Sequence, residues 1–241
     1  MMSETDQVLA IPLWINGRAY LTMAPAFFDV RDAASGEIKR RTPLCGASEA
    51  LAAATSAQAA LPDWAARTVA ERAALLLALA DALAGYGEHF AALISEESGK
   101  DAALAAAEVG DALSLLRGVA PAAASDTGST GTAANAVVAI VSDDSAPLLG
   151  PLRHAVPALL AGATVVVKPS PKAPSAIFAL AELTASCDFP AGVFNILQGD
   201  LAAIEGLCVA SAVGRLCFAG DPALAAKVAE VAIRHGKPFT Q

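Results

Sequence analysis

The sequence predicts an α/β protein, a doubly wound parallel sheet preceded by hairpins and helices. Three observations carry that prediction. From residue 137 onward, short apolar runs of strand length alternate with helical segments, the pattern of a parallel sheet covered on both faces. Before residue 118, two turn signals flanked by short runs give way to capped helical segments. Alanine makes up about a quarter of the 241 residues and aromatics only 5%. Such a chain forms many helices and packs them through small side chains rather than bulky anchors.

The elements follow in order. Leu13-Trp14-Ile15, Asn16-Gly17 and Arg18-Ala19-Tyr20 read as two strands joined by a type I′ turn, because Asn-Gly takes positive φ cheaply. Residues 27–30 and 37–40 flank Ala34-Ser35-Gly36 and read as a second hairpin. Ser48 is expected to cap a helix over 48–60, and Thr68-Val69-Ala70-Glu71 is a capping box opening a helix to about residue 83. A third helix spans about 87–98 with Gly99 past its end, and a fourth spans 101–116. Residues 119–136, rich in Ala, Gly, Ser and Thr without period, read as a flexible linker between a region 1–118 and an α/β core 137–241. In that core, strands at 137–141, 164–167, 193–197 and 215–218 alternate with helices at 147–161, 175–186, 201–209 and 222–235. Residues 237–241 read as one more short strand.

Composition excludes several classes. Sixteen basic against 24 acidic residues give −8, with no basic run longer than Lys39-Arg40-Arg41, so nucleic acid is not an expected partner. Mean hydropathy is high, yet the longest apolar run, 155–167, is broken by Pro157 and Gly162 and falls short of the ~20 residues a spanning helix needs. The start is acidic, unlike a signal peptide, and Cys45, Cys187, Cys208 and Cys217 lack CxxC spacing. A cytoplasmic chain with buried thiols and no metal centre is the expectation.

Ligands of doubly wound sheets sit at the carboxyl ends of the strands. Those ends are Ser142-Asp143-Asp144-Ser145-Ala146-Pro147, Lys168-Pro169-Ser170-Pro171-Lys172, Gln198-Gly199-Asp200 and Ala219-Gly220-Asp221-Pro222. None is GxGxxG or a P-loop. Lys168 is either a cationic donor over a nucleotide crevice or a solvated strand-end lysine. Gly199 and Gly220 permit close backbone approach to a ligand, or serve only as turn glycines. Asp221-Pro222 is an Ncap–N1 pair whose carboxylate occupies the helix N-terminus that a diphosphate would otherwise use. Asp143-Asp144 reads as a solvated loop. Read from the residues alone, this is a nucleotide-type fold without catalytic constellations.

Several segments resemble the NAD(P)-dependent aldehyde dehydrogenase superfamily. They are Trp14-Ile15-Asn16-Gly17, Asp32-Ala33-Ala34-Ser35-Gly36-Glu37, Trp64 with Glu71-Arg72, Glu97-Ser98-Gly99-Lys100, Pro157 to Gly162, Val165 to Pro169, Phe189 to Asn195, and Phe218-Ala219-Gly220. The resemblance runs from about residue 13 to 241 and implies that family's Rossmann-like cofactor domain. It implies that Lys168 matches the lysine on the adenosine ribose, and the candidate cofactor contacts become Lys168, Ser170, Gly199, Gly220 and Asp221. It also marks departures. Ser145 stands where an asparagine helps form the oxyanion hole, Pro171 where a glutamate accepts from the ribose, and Asp221 where a serine opens a helix. Arg153 and His154 stand where a tryptophan and a relay lysine are usual. Residues 237–241 resemble the strand leading to the general-base segment, so the nucleophile-bearing domain is expected to lie outside this chain. The expected function is a non-catalytic binding, assembly or regulatory module with weak NAD(P) binding or none. The alternative is the cofactor half of a split dehydrogenase. A homodimer, or a protein partner covering the missing-domain face, is expected, with the helix 222–235 near the interface. Leu224, Val228, Val231 and Ala232 are assigned to its sheet-facing stripe, and Ala225, Ala226 and Ala229 to the outer surface.

Overall fold

The structure, a computed structural model, describes residues 8–124 and 136–241. Two hairpins lead: β1 (Leu13–Ile15) with β2 (Arg18–Tyr20), and β3 (Phe27–Arg31) with β4 (Ile38–Pro43). Asn16 and Gly17 both take positive φ, +56° and +70°, as the Asn-Gly turn requires. Helices α1 (Ala47–Ala66), α2 (Val69–Gly85), α3 (Gly87–Ser98), α4 (Ala102–Arg117) and α5 (Ala120–Ala124) follow. The α/β core then runs β5 (Val137–Ser142), α6 (Leu149–Leu160), β6 (Thr164–Lys168), α7 (Ser175–Ser186), β7 (Phe194–Ile196), α8 (Leu201–Val209), β8 (Val213–Ala219), α9 (Pro222–Arg234) and β9 (Phe239–Thr240). Helix α5 occupies the start of the stretch expected to be linker, and residues 125–135 of that stretch lie outside the described residues.

One seven-stranded sheet has the order β2-β1-β7-β6-β5-β8-β9. Strands β5 to β9 are parallel, and β1 joins β7 antiparallel at Trp14 and Ile196. The chain enters at β5, winds outward through β6 and β7, then crosses back to β8 on the other side. The winding therefore reverses between β5 and β8.

Alternation along β5 explains the two-layer core. Val138 and Ile140 face the cluster built by α2, α3, α4, α6 and α7, whereas Val137, Ala139 and Val141 face α1, α8 and α9. A period-2 strand buried on both faces must be apolar at every position, and all six residues of β5 are buried. Alanine sets the spacing on the second face. Ala50, Ala53, Ala54 and Ala57 of α1 are fully buried, and a Cβ built on Gly206 of α8 would lie 2.7 Å from the Ala50 Cβ. The two helices approach as closely as small residues allow.

Two elements depart from the sequence reading. Ser48 does not cap α1; Gly46 does, with the Glu49 carboxylate accepting from its N–H at 3.1 Å, and the helix runs on through Pro62 to Ala66. Burial of Leu61 and Trp64 holds that last turn in spite of the N–H that proline lacks. On α9 the inward stripe is Ala225, Val228, Val231 and Ala232, while Leu224 is 41% exposed. Three of the four expected residues face inward, and Ala225 rather than Leu224 completes the stripe, so Ala225 belongs to the core rather than to the outer surface.

Trp64 and Arg72 have a common task. The Trp64 Nε1–H donates to the Leu159 carbonyl at 3.1 Å, and the fully buried Arg72 donates from Nε to Leu160 at 2.9 Å. Both bond carbonyls in the last turn of α6, tying α1 and α2 to its C-terminus. Among the described residues no helix is long and apolar enough to cross a membrane, and no group of three or more potential metal ligands occurs. All four cysteines are buried, and burial pushes the Cys45 thiol up to about 12. They behave as small apolar side chains.

Candidate functional site

Where the winding reverses, the ends of β5 and β8 are joined by one carboxylate. Asp143, expected in a solvated loop, is 8% exposed. Its Oδ1 accepts from the Ser145 N–H at 2.9 Å and from the Ser145 hydroxyl at 2.5 Å; its Oδ2 accepts from the Asp221 N–H at 2.7 Å. The carboxyl lies flat against Gly220, where an added Cβ would come within 2.2 Å of it. Gly220, at φ +147°, is therefore glycine because Asp143 fills the space a side chain would take. The Asp-x-Ser spacing is an Asx-turn signal, legible in sequence, that would have placed this carboxylate.

Asp221 caps α9 as expected. Its Oδ1 accepts from the N–H groups of Ala223 at 2.8 Å and Leu224 at 3.2 Å, and its carbonyl takes the N–H of Ala225. Pro222 has no N–H. The first turn of α9 thus has no free donor. A helix N-terminus attracts a diphosphate through just such donors and its positive dipole end, and here a carboxylate holds both.

Beside this network a cleft of about 350 Å³ opens between α8 and α9, over the ends of β5, β6 and β8. Lys168, Ser170, Ser142 and Asp144 form its polar side, Ile204, Phe218, Val228 and Val231 its apolar side, and Phe28 reaches in from β3. Lys168 is 3% exposed and makes no hydrogen bond or ion pair among the described residues. Burial pushes its ammonium down to about 8, against a smaller opposing pull from the Asp200 carboxylate. The solvated reading of this lysine is therefore overturned. The Ser142 hydroxyl is likewise buried without a partner. Ser170 is spent on its own loop, accepting from the Lys172 N–H at 3.3 Å and donating toward Asp144 at 3.4 Å. Pro171, which offers no side-chain acceptor, gives its carbonyl to the Thr42 hydroxyl at 3.0 Å and so ties β4 to the crevice.

Gly199 does not belong to this cleft. At φ +138° a Cβ there would meet Ala203 at 2.7 Å and the Cys45 carbonyl at 2.9 Å, so α8 and the loop before α1 occupy the approach. The structure gathers Lys168 and Ser170 at the cleft, whereas Gly220 and Asp221 do not line it and meet it only through Asp143. Gly220 also borders a second recess of about 380 Å³ with Ser145, Arg153 and His154, where burial holds the imidazole below its usual range. One structural position escaped the sequence reading altogether. The buried Glu108 of α4 accepts from the N–H groups of Leu148 at 2.9 Å and Leu149 at 3.1 Å, and pairs with Lys100. It holds the start of α6 in register with the end of β5.

A nucleoside-sized group fits the cleft: its volume is at the low end of the roughly 300–1,000 Å³ of small-molecule sites, with an apolar wall and two unpartnered polar groups. The first turn of α9 offers a diphosphate no free backbone donor.

In doubly wound α/β proteins the crevice at the reversal point is where ligands bind. The aldehyde dehydrogenase family model matches residues 22–241, and the chain belongs to that family. It is 32% identical over 238 residues to the N-succinylglutamate 5-semialdehyde dehydrogenase of Chromohalobacter salexigens, covering 91% of this chain and 46% of that protein. It is 32% identical over 215 residues to the NADP(+) succinate-semialdehyde dehydrogenase of Escherichia coli, covering 84% and 45%. The crystal structure of lactaldehyde dehydrogenase from Escherichia coli superposes with a TM-score of 0.88 at 25% identity, over 96% of this chain and 51% of that one. The chain spans about half the length of the relatives it matches.

Proposed function

We propose that this chain is a nucleotide-crevice module of the aldehyde dehydrogenase family that receives a nucleoside-sized ligand at Lys168 and does not oxidise aldehydes with its own residues. The observation that carries this reading is the Asp143–Ser145–Asp221 network. Stabilising a developing oxyanion needs a preorganised donor aimed at the reacting oxygen. The Ser145 hydroxyl is committed to Asp143 at 2.5 Å, and the α9 amides to Asp221. Purified protein, assayed by nicotinamide absorbance with succinate semialdehyde and NAD or NADP, should show no turnover above buffer. Turnover that vanishes on mutating a residue of this chain would overturn the reading.

A second reading is favoured by the length relation. Relatives named as semialdehyde dehydrogenases are about twice as long, so these residues would serve as the nucleotide half of a whole dehydrogenase. The buried, unpartnered Lys168 supports it; the filled α9 terminus weighs against it.

Assembly belongs to the same proposal. Helix α9 exposes Leu224 (41%) and Ile233 (72%) outside its core stripe, and β9 is an edge strand of the sheet among the described residues. We place a two-fold homodimer contact on this helix, since an isologous contact covers the same patch on both chains. Light scattering at micromolar concentration should give twice the chain mass for the unmodified protein and one chain mass for Ile233→Glu. A single-chain mass for both would remove the contact.

A further inference from the structure

We propose that Lys168 is a carbonyl-reactive amine, and that the cleft at the end of β6 captures small anionic aldehydes as a reversible imine on its Nζ. The inference shares the cleft with the function proposed above but needs no nucleotide to bind, so the two fail separately.

Three features of the cleft carry it. First, Lys168 is 3% exposed yet lines an open cleft, so its amine meets a molecule in the cleft rather than bulk water. Second, no carboxylate claims it. Other buried or half-buried cations are held: Lys100 by Glu108, Arg40 by Glu96 and Glu97, and Lys237 by the carbonyls of Ala210 and Val213. Lys168 has no such partner among the described residues, and the facing carboxylates are already engaged or exposed. Asp143 is spent on Ser145 and Asp221, Asp144 receives Ser170, and Asp200 stands exposed at the start of α8. Third, the Ser142 hydroxyl is buried on the same cleft and has no hydrogen-bond partner among the described residues. Lys172 and Lys227, exposed on the rim, favour an aldehyde that carries a negative charge.

The chemistry balances without an added oxidant. The neutral amine adds its lone pair to the aldehyde carbon, a proton moves from nitrogen to the alkoxide, and the carbinolamine takes up one proton from solvent on its hydroxyl and expels water to leave a protonated imine. Nucleophilic lysines are amines desolvated in apolar pockets. Burial pushes Lys168 down to about 8, so at pH 7 its free-amine fraction exceeds that of an ordinary lysine by roughly two orders of magnitude.

The test incubates the unmodified chain with 4-oxobutanoate and cyanoborohydride at pH 7, which reduces any imine to a stable secondary amine. Peptide mass spectrometry then follows all six lysines in the same sample. Lys168 should label at least about tenfold faster than Lys172 or Lys227, and faster with 4-oxobutanoate than with butanal. Its labelling rate should rise with pH and level off above about 8. Labelling of Lys168 no faster than that of the rim lysines, or faster with butanal, would overturn the proposal. Because all six lysines compete within the folded wild-type protein, the outcome does not depend on whether a Lys168 variant folds.

Discussion

Asp143→Ala should lower the unfolding free energy by about 2–4 kcal/mol, because it strands donors that now share one carboxylate. Two of those donors are backbone amides, of Ser145 and Asp221, that join the ends of β5 and β8. Gly220→Ala should cost about 3–5 kcal/mol: the φ of +147° is strained for any L side chain, and the new Cβ would overlap the Asp143 carboxyl. The pair is diagnostic. Removing the Asp143 carboxyl vacates the space that the Gly220→Ala methyl needs, so the double variant should lose less than the sum by 1 kcal/mol or more, roughly the coupling of residues in contact. Urea denaturation of the four proteins measures it. Strict additivity would mean that Asp143 and Gly220 do not interlock.

Lys168→Met should stabilise the protein at pH 7 by about 2–3 kcal/mol, an unusual sign for a core-facing substitution. The folded lysine ionises near 8 and the unfolded one near 10.5. Below pH 8 both states hold the proton, and the whole cost of burying the charge falls on the folded state. Between about 8 and 10.5 the folded chain gives up its proton first, so wild-type stability rises with pH by the linkage relation. The advantage of Lys168→Met should therefore shrink across that window and be small above it. Thermal or urea unfolding at pH 7, 8.5 and 10 follows the difference between the two proteins, in which other titrating groups cancel. A variant less stable than wild type at pH 7 would show that Lys168 has a partner worth more than its desolvation.

Local chemistry made most of this fold legible. Asn16-Gly17, the Thr68–Glu71 capping box, Gly99 after α3 and Asp221-Pro222 at α9 each dictate their turn or terminus through backbone sterics or a single hydrogen bond. The apolar runs of β5 and β6 fixed the parallel sheet, since only strands buried on both faces can lack polar positions. The rest depended on distance. Nothing near Glu108 announces that its carboxylate holds α6 forty residues on. Lys168 reads more readily as a solvated strand-end lysine than as a donor over a crevice until α8 and α9 close over it. Asp143 was misread because two adjacent acids look solvated, although the serine two residues on marked a turn. On α9, Leu224 outranks Ala225 in hydrophobicity, but Leu224 lines the cleft while Ala225 faces the core. Gly199 looked like an approach to a ligand and is filled by the protein's own backbone at Cys45.

The central claim is that the crevice keeps its nucleoside cleft and closes its diphosphate site with Asp221. Calorimetric titration of the unmodified chain and of Asp221→Ser with NAD and with NADP tests it most directly. Asp221→Ser keeps a capping oxygen on α9 while removing the negative charge, so the fold should survive. The account predicts a dissociation constant of hundreds of micromolar or weaker for the unmodified chain, on the order of −5 kcal/mol or less favourable, and roughly tenfold tighter binding by Asp221→Ser. Micromolar binding by the unmodified chain, unchanged or weakened in Asp221→Ser, would contradict it.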